Sequence, residues 1–234
     1  MTAWNAFARD DGAWLIADTG GFHADGRVLR FQSKIVANKR LNLAITQAGR
    51  LETNAVVDIA DWLDSQPDQR TALAGLPNLL RRLVAFDQEA QANGAAKSSG
   101  DHPEGIKLAV AAWNHESQKA AVVIVASTTD LGVPPFAPRR TKTVFSPTLS
   151  HKPWPGHSFE PCRHAQTLAR LQRAERFHDD TCRVAGEMEA VRVGPRGIEW
   201  FTICKWPDRV GRKVAQRPSL ASRALAKAEA VLCR

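Results

Sequence analysis

The sequence has no tyrosine, no C-x-x-C pair and no long uncharged apolar run. A membrane-spanning helix needs about 18 or more such residues in succession, so no bilayer span is expected. No basic segment followed by an apolar stretch opens the chain, which argues against a secretory leader and for a cytoplasmic location. The four cysteines, Cys162, Cys182, Cys204 and Cys233, lie at least 20 residues apart, and reduced, unligated thiols are the expectation. Cys162, His164, His178 and Cys182 bracket one helical segment without the ligand-pair spacing of a zinc finger, so neither a metal nor any other cofactor is expected. Also missing are a repeat of about 20–50 residues and a sustained heptad, which removes solenoids and coiled coils.

With seven tryptophans and no tyrosine, the aromatic residues carry no binding signature of their own, because tryptophans on apolar faces are usually core. The net charge of +8 favours anionic surfaces. The basic residues are nonetheless dispersed, denser only at 163–183 and 205–217, and do not form one run interleaved with aromatics. A basic nucleic-acid-associated protein, whose binding would weaken steeply with salt, is therefore the least favoured alternative.

What the chain does contain is enough apolar residue for a sizeable core: 44% of 234 residues, read as one domain over 1–234. Residues 2–8 are apolar on both faces, 9–12 read as a turn, and 13–17 as a returning strand that ends at Asp18. A second turn at 24–26 precedes the alternating strand 27–31, after which Lys34 returns to the same end. Helical spacing follows from Leu51 to Leu63 and again over 71–91, where Pro77 marks a start or a kink. Residues 93–105 read as a loop, and 106–113 and 120–126 as a hairpin. A proline-rich insertion at about 128–161 is expected to lack regular structure and to cover the mouth of a site, to contact a neighbouring subunit, or to form a plain surface crossover. A helix over 162–178, a hairpin of 187–193 and 198–204 around a Gly/Pro turn, and an alanine-rich helix over 219–232 complete the chain. Strand runs separated by paired helices place it in the α+β class.

Three residues carry the chemistry. Removal of Met1, which the small second residue permits, would leave Thr2 with a hydroxyl and a free α-amine on one residue. A threonine hydroxyl is a weak nucleophile until an adjacent base takes its proton, and an N-terminal amine of pKa about 7.7–8.0 can do so near neutral pH. A lysine close by would tune that amine and an aspartate would hold the lysine, roles open to Lys34 and Asp18.

The order Thr2, then Ile16-Ala17-Asp18-Thr19, then Ser33-Lys34-Ile35, then residues 43–49 ending in Ala48-Gly49, resembles the N-terminal nucleophile hydrolases of the proteasome β-subunit and bacterial HslV type. The resemblance covers about the first 50 residues of the chain. It implies a four-layer αββα sandwich with two antiparallel sheets, Thr2 as nucleophile, Asp18 and Lys34 as its supports, and an oxyanion hole near Ala48 and Gly49. It also implies an amide or peptide substrate and self-association, in a ring if the family's habit is followed. The chain departs from the pattern in three places. Gly20-Gly21-Phe22-His23 stands where the family has a small polar residue, Ala48-Gly49 falls one residue late, and Cys182-Arg183-Val184-Ala185-Gly186 replaces Asp-x-x-Ser-Gly. These departures favour the main alternative, a catalytically inactive assembly subunit of proteasome-like or phage type.

Overall fold

The structure is a computed structural model that describes residues 3–23, 25–49, 55–94, 105–129, 131–149, 159–175 and 182–214. Thr2, Leu51, His178 and the helix expected over 219–232 lie outside these residues.

Six strands come first: β1 (Trp4–Arg9), β2 (Gly12–Asp18), β3 (Gly20–Phe22), β4 (Val28–Phe31), β5 (Ile35–Asn38) and β6 (Leu43–Ala48). Helices α1 (Ala55–Ser65) and α2 (Gln69–Ala92) follow, then β7 (Lys107–Asn114), β8 (Lys119–Ala126), β9 (Arg139–Thr141) and β10 (Thr143–Ser146). The described chain ends with α3 (Pro161–Ala174), β11 (Glu187–Gly194) and β12 (Gly197–Lys205). The class is mixed α+β, dominated by strands.

The strands form three sheets rather than the expected two. A five-stranded sheet runs β10-β1-β2-β11-β12, a second runs β5-β6-β7-β8-β9, and β3-β4 make a separate ribbon. The ribbon has three paired positions, and a register shift between Gly21 and Phe22 interrupts its ladder after the second. Its outer strand instead meets the chain after β12, where Val28 N–H donates to Arg212 O and Gly211 N–H to Val28 O.

Strand periodicity sorts the side chains into three cores. In β2, which is buried along its whole length, Ala13, Leu15 and Ala17 face a core shared with the second sheet, whereas Trp14 and Ile16 join a core with α3. In β6 the alternation repeats: Ala44 and Ala48 face the first sheet, while Leu43 and Ile45 pack with Ile59 and Leu80 of α1 and α2. Alanines at the shared layer let two backbones approach closely, and Trp4 and Trp113 fill what they leave.

One expectation is narrowed here, since Pro77 does not start its helix, and another is corrected. Helix α2 starts at Gln69, where Asp68 caps it by accepting from Thr71 N–H at 2.7 Å, so Pro77 lies inside the helix. The ring removes one rung of the ladder, but burial of Leu76, Leu79, Leu80 and Leu83 on one face carries the helix through it. The proline-rich stretch also contains regular structure. Between Pro138 and Pro147 the chain supplies an edge strand to each large sheet, β9 beside β8 and β10 beside β1. Edge strands pair on one side only, so the flanking prolines cost no ladder bond there. Among the described residues no helix is long and apolar enough to cross a membrane.

Candidate active site

Asp18 ends β2 at a point where three separate segments meet it. Its side chain is fully buried, and a carboxylate has about four acceptor sites to satisfy. Oδ1 accepts from the Ala3 N–H at 3.0 Å and from the Lys34 ammonium at 2.8 Å. Oδ2 accepts from the Gly20 N–H at 3.1 Å and the Ala185 N–H at 3.1 Å. Backbone pairing reinforces the first of these contacts, since Asp18 N–H donates in return to Ala3 O at 3.1 Å. The start of β1, the approach to β5 and the segment before β11 are thus tied to one charge.

Lys34 immediately precedes β5, and its side chain is only 10% exposed. Its carbonyl accepts from the Gln47 N–H at 3.4 Å, which links it to the end of β6. Burial pushes its ammonium below the usual lysine range, against the opposing pull of the Asp18 charge and hydrogen bond and of Glu189. The sign of the pH effect follows. Between the depressed folded value and the ordinary value of about 10.4, the unfolded chain holds more protons than the folded one, so this group makes stability rise with pH in that window. Lys34→Met should remove that rise. Urea unfolding of both proteins across the alkaline range would check it, and identical slopes would sink it.

Ala48 ends β6, buried in the inter-sheet core with Ala17 and Ile35. Gly49 leaves the strand at φ +106°, beside Gly105 O, where a Cβ would come within 2.5 Å. The two residues therefore directly follow Gln47 and its contact with Lys34. Thr2 itself is outside the described residues, so the contact made by Ala3 is the point nearest to it in sequence that the structure defines.

Reading the sequence alone missed several members of this site. The Gly20 and Ala185 donors are backbone amides, which no side-chain identity announces. Thr46, paired with Ile35 across β5 and β6, has a buried hydroxyl with no hydrogen-bond partner among the described residues. The segment Cys182–Gly186, aligned with the family's Asp-x-x-Ser-Gly, does reach Asp18, but through the Ala185 amide rather than a hydroxyl. Among the described residues no group of three His, Cys, Asp or Glu could hold a metal ion. Of the histidine and cysteine set considered above, Cys162 is exposed and His164 Nδ1 accepts from the Glu160 N–H at 2.8 Å.

A scan of family models found none that matches the chain, and a search of curated proteins found no match.

Proposed function

We propose that this chain is an N-terminal threonine hydrolase of the proteasome β-subunit and HslV type, acting on an amide bond. One observation carries the reading: the Ala3 amide, one peptide bond from Thr2, and the Lys34 ammonium share a single oxygen of the buried Asp18. The Ala3 amide and a buried cation are held two hydrogen bonds apart. That is the arrangement a nucleophile at residue 2 requires.

In this reading Met1 is removed and the free amine of Thr2 takes the proton from its own hydroxyl as Oγ attacks the carbonyl. The C–N bond then breaks, the same proton leaves with the departing amine, and water hydrolyses the ester that remains. Lys34 stabilises the developing negative charge, and Asp18 holds Lys34. Backbone amides near Ala48 and Gly49 serve as oxyanion donors, each worth about 3–4 kcal/mol where such donors have been removed. The four-layer αββα architecture belongs to the same proposal. It is supported by α1 and α2 packing on the outer face of one large sheet, α3 on that of the other, and the core shared between the sheets. Self-association follows from the same reading.

A second reading has its own support. Ala185 offers Asp18 no hydroxyl, which fits an assembly subunit that keeps the fold without turnover. Intact mass, N-terminal sequencing and reaction with a peptide epoxyketone separate the two. The active reading expects a Thr2 start and one covalent adduct, the adduct being abolished in Thr2→Ala. Retained Met1, or a Thr2 start that never labels, supports the assembly subunit.

A further inference from the structure

We propose that Arg173 and Asp208 are positioning residues for Asp18, acting through the peptide groups on either side of Ala185; this rests on the reading of Asp18 as the support of the nucleophile. Ala185 brings a methyl group where a serine would bring a hydroxyl, so what it offers Asp18 is its N–H, at 3.1 Å. Where that N–H points is decided by the two adjoining peptides. Both are clamped by one ion pair. Arg173 Nη1 donates to Val184 O at 2.7 Å, and the Gly186 N–H donates to Asp208 Oδ2 at 3.0 Å.

The clamp is itself well fixed. Arg173, in the last turn of α3, binds Asp208 through both terminal nitrogens, at 2.6 and 2.8 Å. The two side chains are 16% and 4% exposed, so solvent screens the pair weakly. The guanidinium lies over the Trp206 ring, 4.6 Å from its centroid, and the backbone N–H of Trp206 donates to Gly186 O at 2.8 Å. Cys182 Sγ closes the start of the segment onto α3 by donating to Arg173 O at 3.1 Å. A planar bidentate fork resists rotation in a way a point charge does not. The pair therefore fixes a backbone donor that the local sequence would otherwise leave free to tilt away from Asp18.

The test uses the full-length chain, with Asp208→Asn and Arg173→Lys as variants. Amide exchange is read at Ala185, with Leu15 and Val191 of the central strands as references, and epoxyketone labelling of Thr2 is resolved into a maximal rate and a half-saturating concentration. The expected result in either variant is Ala185 exchange faster by roughly tenfold or more with the reference amides unchanged. The maximal labelling rate should fall by roughly tenfold or more at an unchanged half-saturating concentration. A purely structural loss would instead raise exchange at the references too. If the wild type labels and both folded variants match it in exchange and labelling, the inference is overturned while the hydrolase reading stands. If the wild type never labels yet Ala185 exchange still responds, the reading fails while the link from the ion pair to the Ala185 amide holds. Should Asp208→Asn not fold, Arg173→Lys, which keeps the charge and most of the packing, decides the question.

Discussion

Asp18→Ala should lower the stability of the folded chain by about 3–5 kcal/mol, the usual consequence of removing one member of a buried ion pair. For a chain of this size that is a fall in Tm on the order of 10 °C. The substitution leaves the Lys34 ammonium without its carboxylate and takes the acceptor from three backbone donors, those of Ala3, Gly20 and Ala185. Each buried donor so orphaned costs about 1–3 kcal/mol, though the losses share one site and will not add. Asp18→Asn refines the argument. An amide keeps the shape but turns one acceptor into a donor, so it faces at least one N–H or the ammonium with hydrogen against hydrogen. Adding Lys34→Met to Asp18→Ala should return part of the loss, because the stranded charge is then gone. Thermal and urea unfolding of the single and double variants give the coupling directly. A change under about 1 kcal/mol for Asp18→Ala would mean that water or other acceptors take up the donors Asp18 leaves behind.

Which parts of this arrangement are readable from sequence depends on whether side-chain identity or tertiary context decides them. The β7–β8 hairpin is legible because two long apolar runs flank a polar loop, and β11–β12 because its alternation is long and its turn is marked by Gly194 and Gly197. Asp18 and Lys34 are legible as chemistry, a carboxylate closing an apolar strand and a lysine after the next turn, and the fold brings them to 2.8 Å. Strands β3 and β5 are not, since three or four residues give too little periodicity to separate from loop. The edge strands β9 and β10 hide among prolines because an edge needs pairing on one side rather than an apolar pattern. Arg173 and Asp208 are individually unremarkable, separated by 35 positions, and only the close of α3 against the chain after β12 makes them a pair. Backbone donors such as Gly20 and Ala185 lie beyond any reading of side chains.

Gly186→Ala should destabilise the protein more than Gly197→Ala, and the difference measures how tightly the Ala185 segment is seated. Both glycines adopt left-handed backbone, φ +81° and +101°, so alanine carries a similar conformational penalty of about 1–2 kcal/mol at each. Their surroundings differ. A Cβ at residue 197 meets nothing within 4 Å, whereas one at residue 186 would lie 2.4 Å from Thr19 Oγ1 and 2.6 Å from Phe31 Cδ1. Thr19 cannot simply turn aside, because its hydroxyl accepts from the Glu187 N–H at 2.9 Å and its backbone exchanges further bonds with Glu187 and Gln32. Overpacking of that kind adds about 1–3 kcal/mol, so Gly186→Ala is expected to exceed Gly197→Ala by that amount in urea unfolding. Relief would come most easily by moving residue 186 away from β3 and β4, and Ala185 would move with it. Ala185 exchange should therefore quicken in Gly186→Ala and stay unchanged in Gly197→Ala. Equal stability losses in the two variants would show that the segment yields freely, and the third side of the Asp18 site would then be held by the Arg173–Asp208 pair rather than by the close fit of a glycine against Thr19 and Phe31.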